Sequence, residues 1–468
     1  MIMTGILHVA LLLTLMLGLP KLPISQAFAT PSIPQQHQHP NVIISGGGPA
    51  GLLASILLNN IGVKSTVFEE AREPDEWSSK SYAMALNERG KAALARAGCL
   101  ESVIEAGNEK LCNYFVDGAT GDVQTIPRRE ATPGIGLSRP QLVECIENIA
   151  RDCPLVTLRR GVGVSRVTEE EKDNSRGEGE TTGLLTVHLG DGTVISGVTH
   201  VVGADGKWSK VRQSFPCLDS QAELVSCTGF GILMCGESAP EAFSSKDGTY
   251  VIFPPKDEDS TIPQDFYIIA SPLTNGGVAL AMVCSDSITR RYPWLKPEAD
   301  PKPKDVGKGG WKDETSLEKK LLLDDFTKND LSKNLDVMLQ ETVPAFHAAV
   351  DKSFYENARI NRRPTWLQMS ATSKDGGRTE EVSYSTERGN VALVGDAAHA
   401  MTASMGEGGN CAMESVVKLV DAVGCVMKEK GEMECTVDTM NAGFLKYGVS
   451  RPKDVQPIQE MSAARNNK

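Results

Sequence analysis

The chain has 468 residues, too many for one core of ordinary size, and a net charge of −12. That acidity argues against nucleic acid or an anionic membrane surface as main partner, and solubility alone accounts for it. The 11 cysteines include no C-x-x-C pair and no Cys/His cluster at zinc spacing, so they read as mostly free thiols with no metal site.

Met1 to Leu19 is almost wholly apolar, and no charged side chain precedes Lys21. Pro20 and Pro23 end the run, and Ala27-Phe28-Ala29 offers small residues at cleavage-site spacing, as in a secretory signal peptide. An uncleaved anchor is the alternative, because ~20 apolar residues span a bilayer. Ser25 to Pro31 also resembles the Ala-Phe cleavage signature of plastid-targeted proteins in algae with ER-enclosed plastids. Residues 1–40 are therefore expected to be a targeting segment addressed to the plastid. The mature protein is expected not to span a membrane.

Val42, Ile43 and Ile44 suit a strand buried on both faces. Gly46, Gly48 and Gly51 follow at G-x-G-x-x-G spacing, with Pro49 and Ala50 between the last two. Such glycines permit a tight turn, close approach of a pyrophosphate, and close packing of the next helix, whose N-terminus favours an anion. Ser65 to Phe68 reads as the second strand of a βαβ unit. Glu69 ends it, roughly 20 residues past Gly51, where such a unit holds ribose hydroxyls. A carboxylate there repels a 2′-phosphate, which selects FAD or NAD over NADP.

One helical face is expected through Leu94, Ala97 and Leu100. Residues 114–116 and 123–126 read as a hairpin around Asp117-Gly118. Another helix opens at Leu137 to Leu142, with Pro140 in its first turn. Residues 184–189 and 193–195 form a second hairpin signal around Asp191-Gly192. The acidic run 169–180 reads as a solvated loop. Thr199 to Val202 reads as a buried strand entering Gly203-Ala204-Asp205-Gly206. Residues 218–300 alternate apolar and polar, suggesting an antiparallel sheet. Asp300 to Lys312 reads as a surface loop. Val391 to Val394 is a further buried strand ending at Gly395-Asp396, with helix signals from Asn410 to Cys425.

Three motifs then stand in order: the glycine fingerprint with Glu69, Gly203-Ala204-Asp205-Gly206 running on to Arg212, and Gly395-Asp396-Ala397-Ala398-His399 with Gly406 to Asn410 behind it. Together they resemble the class A flavoprotein aromatic hydroxylases. Within that family the kynurenine 3-hydroxylating branch is the most similar, through Ala85 to Leu94, Leu137-Ser138-Arg139 and Arg451 to Asp454. The resemblance implies an α/β (α+β overall) architecture: a Rossmann-like FAD-binding domain carrying an inserted, mostly antiparallel substrate domain. The expected division is 41–215 and 388–468 for the FAD-binding domain and 216–387 for the substrate domain, to which a hairpin near 111–130 contributes.

By the same resemblance, Gly46, Gly48, Pro49, Ala50 and Gly51 cradle the FAD pyrophosphate, and Glu69 binds the adenosine ribose. Arg139 contacts the phosphate or ribityl region, and Gly395 and Asp396 the ribityl and pyrophosphate side. Asp205 lies between FAD and the path of NAD(P)H. Gly406, Gly408, Gly409 and Asn410 offer backbone N–H groups to the reduced isoalloxazine. The implied reaction uses NAD(P)H as co-substrate and O2 to hydroxylate a small hydrophobic or aromatic substrate. No second fingerprint occurs, since Gly161 to Arg166 lacks a third glycine, so NAD(P)H is expected to dock transiently.

The sequence departs from the family at several points. Asn113 and Arg128 stand at the expected substrate-holding positions in place of Arg and Tyr, with Arg129 as a neighbouring cation. Ala403 replaces a proline, and Glu407 replaces the Gln of G-Q-G, putting a charge near the reduced flavin. The long C-terminal tail of animal members has no counterpart. A same-fold reductase or epoxidase acting on isoprenoids or quinones therefore stays open, as does a flavin-binding protein without turnover.

Overall fold

A five-stranded parallel sheet carries all three motif turns. The structure, a computed structural model, describes residues 39–466 apart from 75–82, 129–132, 172–180, 227–229, 237–239, 256–265, 275, 285–287, 296–327, 351–353, 355–358, 362–364, 370–381 and 402–405. The expectations for the targeting segment up to residue 38, the 300–312 loop, Arg129 and Ala403 lie outside the described residues.

The strands run in the order Val391–Leu393, His200–Gly203, Val42–Ser45, Ser65–Glu69 and Val156–Arg160. The apolar runs of the first four are buried because helices cover both faces of a parallel sheet, while the edge strand Val156–Arg160 is only partly covered. The fingerprint helix Pro49–Asn60 is buried from Gly51 to Leu58. It packs against helix Arg139–Asp152 and helix Gly408–Lys430, which explains its apolar character all round.

Two expectations need correction here. Leu94, Ala97 and Leu100 do not share one helix: Glu88–Arg96 and Leu100–Ala106 are separate, with Gly98 at φ +73° between them. Glu169 to Glu171 belong to strand Val164–Glu171, the edge of a three-stranded antiparallel meander with Thr181–Leu189 and Val194–Val198. The late helix also runs further in both directions than expected, from Gly408 to Lys430.

A second apolar core lies under a seven-stranded sheet. Gly248–Phe253, Phe266–Pro272 and Val278–Cys284 alternate buried and half-buried residues along their length. Tyr250, Ile252, Ile268, Leu280 and Met282 face inward with Leu335, Met338 and Leu339 of helix Lys328–Thr342. Fully burying such side chains stabilises by about 1.5–3 kcal/mol each. The hairpin formed by Cys112–Asp117 and Val123–Pro127 joins this sheet, Cys112–Asp117 pairing in parallel with Gly248–Phe253. The opposite face stays half-exposed and apolar, with Phe253 stacked on Phe115 at 6.0 Å and tilted against Tyr267 at 6.0 Å. Among the described residues no helix is long and apolar enough to cross a membrane.

Candidate active site

Strand register assembles the site. Ser45 pairs with Gly203 and Phe68, and Gly203 pairs with Leu393. Four chain segments therefore leave the sheet at one edge: Gly46, Glu69, Ala204-Asp205 and Gly395-Asp396. This is the carboxyl end of a parallel sheet, where α/β folds bind dinucleotides.

Gly46 has φ +99°, and a Cβ there would stand 2.5 Å from the Ala204 carbonyl oxygen. A Cβ on Gly51 would collide with the Gly46 carbonyl, so strand and helix meet backbone to backbone. Gly48 differs, since its Cβ would meet only Arg139 Nη2, at 3.4 Å. Gly48 is also the N-cap of the fingerprint helix and supplies no capping side chain, and Pro49 occupies the first turn. The N–H groups of that turn are left for an anion.

Glu69 is already oriented: Gly47 N–H donates to its Oε2 at 2.6 Å and Ala71 N–H to its Oε1 at 2.9 Å. Gly47, Gly48, Glu69, Arg139, Val143 and Arg160 line one open cleft. Arg160 is committed to the buried Glu147 carboxylate, whereas the Arg139 guanidinium makes no hydrogen bond or ion pair among the described residues. Arg139 opens its helix behind a capping box formed by Ser138 and Gln141. It faces Gly48 with its charge available for phosphate.

Asp205 Oδ2 accepts from the N–H groups of Lys210 at 2.8 Å and Val211 at 3.2 Å. Its Oδ1 is buried with no hydrogen-bond partner among the described residues. Burial pushes its carboxyl above the ordinary range, opposed by hydrogen bonds from Ser209, Val211 and Lys210. The Asp205 backbone lies against Gly46, and an orphaned buried oxygen on that residue is an acceptor suited to a ligand hydroxyl or N–H.

A Cβ on Gly395 would lie 3.2 Å from Ala412 Cβ and 3.5 Å from Ala50 Cβ. The N-terminal turns of the fingerprint helix and of helix Gly408–Lys430 thus converge on the Gly395-Asp396 turn. Asp396 is half-buried at the start of the short helix Asp396–His399. Asn410 is 2% exposed, and its side chain is already used. It donates to the carbonyls of Ala85 at 2.9 Å and Gly406 at 3.2 Å and accepts from Asn87 N–H at 3.1 Å. Only backbone groups at this helix start remain for a cofactor. A Cβ on Gly409 would stand 2.3 Å from Met84 Cε, so that flexible side-chain end would have to move aside.

Glu407 is not an isolated charge. Arg89 Nη2 pairs with it at 2.6 Å, and Asn87 Nδ2 donates to both carboxylate oxygens at 3.0 and 3.2 Å. Arg89 falls within the stretch Ala85 to Leu94, but no local pattern gives it a role, because its partner is 318 residues away. On the hairpin, Asn113 and Arg128 meet each other, with Arg128 Nε donating to Asn113 Oδ1 at 3.2 Å. Nearby, Lys110 is buried, donates to the carbonyls of Lys246 and Gly248, and has its pKa lowered to about 8 by desolvation and then by Arg128. Among the described residues no group of three or more His, Cys, Asp or Glu could hold a metal ion.

The residues present fit a dinucleotide: two uncapped helix starts, an open glycine, a held carboxylate, and, among the described residues, a cation without a protein partner and one orphaned acceptor. Comparison with known proteins agrees. Residues 39–302 and 361–440 match the family described as FAD binding domain. A 6-methylpretetramide 4-monooxygenase of Streptomyces rimosus is 30% identical over 192 residues, 39% of this chain and 42% of that protein. A rifampicin monooxygenase of Streptomyces venezuelae is 28% identical over 192 residues, 40% of this chain and 36% of that protein. The chain thus matches less than half the length of these curated relatives. A crystal structure of an HpxO variant of Klebsiella pneumoniae complexed with FAD has TM-score 0.61 at 18% identity, covering 92% of this chain and 90% of that one, which shows the shared fold. With well over half its length matched, the chain belongs to the family described as FAD binding domain.

Proposed function

We propose that this protein is an FAD-dependent monooxygenase that uses NAD(P)H and O2 to hydroxylate a small aromatic substrate. The observation that carries the reading is the strand register that brings three distant motifs to one sheet edge. Two matched relatives bear monooxygenase names, which supports the reaction class. Bound FAD would supply hydride acceptance and oxygen activation.

The chain's own residues supply binding and shielding. The uncapped start of helix Pro49–Asn60 and the Arg139 guanidinium would neutralise the pyrophosphate. Glu69 would accept from the ribose hydroxyls while Gly47 and Ala71 hold it in place. Asp205 Oδ1 and Asp396 would accept from the cofactor's polar middle. The half-exposed apolar sheet face around Phe115, Val251, Phe253 and Tyr267 would exclude water from the reacting ring.

The finer reading is a kynurenine-like substrate that carries a carboxylate. It is supported by Arg128, whose guanidinium reaches the position where Asn113 replaces the family arginine. The test is NAD(P)H oxidation across a panel of aromatic acids that includes kynurenine, with labelled O2 tracked into product. Substrate-stimulated oxidation with label incorporation is expected, and oxygen-independent substrate reduction overturns the reaction class. Arg128→Gln is expected to raise KM for carboxylate-bearing substrates about 10- to 100-fold, the range for losing one charge-assisted hydrogen bond, with kcat little changed. The address proposed for residues 1–40 is the plastid, and secretion of a reporter fused to them would refute it.

A further inference from the structure

We propose that Arg89 is a positioning residue that sets the charge at the cofactor-side start of helix Gly408–Lys430 by compensating Glu407. The inference rests on the FAD site assigned above. Its ground is the constellation around a single carboxylate. Glu407 is the N-cap residue of that helix, yet its side chain makes no capping bond to it. The carboxylate turns instead to a second helix start, where Asn87 is the N-cap of Glu88–Arg96. Asn87 divides its amide between the two sites. Its Oδ1 accepts from Arg89 N–H at 3.0 Å and its Nδ2 donates to Glu407. Glu407 therefore lies between two positive helix ends and one guanidinium, with its side chain 18% exposed.

The pair is not isolated from the protein interior. Arg89 Nη1 lies 3.8 Å from Glu414 Oε2, and Glu414 pairs with the buried Arg451 at 2.6 Å. Arg451 Nε donates to Ser415 Oγ at 2.9 Å. Negative and positive charges alternate along this row, so one helix start carrying an acid remains nearly neutral. Removing either member of the first pair unbalances it in a known direction. Loss of Arg89 leaves an uncompensated carboxylate at the cofactor-side start of helix Gly408–Lys430. Loss of Glu407 leaves a surplus cation there. A contact that merely held the fold would weaken the site in the same sense whichever partner was removed.

The experiment is a double-mutant cycle on the bound flavin's midpoint potential at pH 8, with FAD affinity and apoprotein thermal stability measured alongside. Arg89→Gln is expected to lower the protein's preference for reduced over oxidised flavin about tenfold, which is ~30 mV for a two-electron couple. Glu407→Gln is expected to raise it by a similar factor, and the double variant to return near wild type. Arg89→Lys keeps the charge and is expected to lie closest to wild type, so it and Glu407→Gln carry the test if Arg89→Gln does not fold. Shifts of one sign in both single variants, or shifts under twofold, overturn the proposal. A wild-type protein that binds no FAD overturns the site itself and this role with it.

Discussion

Gly46→Ala is expected to yield a colourless protein, with FAD affinity at least about a hundredfold weaker and a lowered melting temperature. Two costs coincide at this residue. Its φ of +99° lies where an L side chain is strained, at roughly 1–2 kcal/mol. The added Cβ would also stand 2.5 Å from the Ala204 carbonyl oxygen and 3.0 Å from Asp205 Cα. Neither neighbour is a flexible side-chain end, so relief requires the Asp205 turn to move away from the fingerprint. That movement separates the two motifs whose adjacency forms the cleft. Gly48→Ala is the informative contrast. Its Cβ meets only the Arg139 guanidinium, at 3.4 Å, so the apoprotein is expected to melt within a degree or two of wild type. FAD affinity is still expected to fall, because the methyl occupies the approach of the pyrophosphate. Visible absorbance after purification and calorimetric titration of FAD separate the two cases. Equal loss of apoprotein stability in both variants would contradict the separation of packing and binding roles drawn here.

That contrast also shows what the sequence could and could not disclose. The fingerprint, Asp205 and Gly395-Asp396 were legible because each is a local pattern, an apolar strand running into a small-residue turn. Parallel pairing then places such turns side by side almost by necessity. The hairpin at 112–127 was legible for the same reason. The break at Gly98 was not, because Leu94, Ala97 and Leu100 keep helical spacing across it. Glu169 to Glu171 looked like loop by charge alone, yet they lie on the edge of a meander whose other residues provide its apolar face, as with Val167 and Val187. The largest gap was the Glu407 environment. Charge at position 407 was visible, but Asn87 and Arg89 are more than three hundred residues away, and no local pattern encodes that pairing. Asn410 lies in the first turn of that helix, and its side chain ties the helix start to Ala85 and Asn87.

Acid is expected to destabilise the protein well above the pH at which carboxylates titrate, because two histidines are buried uncharged. His200 and His399 are both 0% exposed. Desolvation lowers each pKa from 6.5 to about 3, and Arg451 adds to the effect at His399. Their hydrogen bonds suit the neutral ring. Thr199 Oγ1 stands 2.9 Å from His200 Nδ1 while itself donating to the Asn41 carbonyl, and hydrogen bonding with the Asn441 side chain only partly opposes the effect of burial. Ser415 Oγ donates to the Cys411 carbonyl and accepts from Arg451, so His399 Nε2 carries the proton and Nδ1 is bare. The sign follows directly. Below pH 6.5 the unfolded chain binds protons that the native state refuses, so stability falls as pH drops from about 6.5 toward 3. At pH 5 the loss is about 2 kcal/mol per histidine, or about 4 kcal/mol for both. Asp205 works the other way, since its raised pKa lets the native state bind a proton first. Urea unfolding at pH 7 and pH 5 measures the net change. His200→Phe keeps a ring against Phe444, 5.2 Å away in the wild type, and is expected to remove about half the pH dependence. A variant that retained the full slope would show that other groups are responsible. The location of His399 adds a functional consequence. It ends the helix that begins at Asp396 and is linked through Ser415 to Arg451. A proton forced onto it places a second cation beside that guanidinium, at the turn where both helix starts converge. Because the native ring refuses that proton until about pH 3, bound-flavin absorbance and helical circular dichroism are expected to be lost together as pH falls.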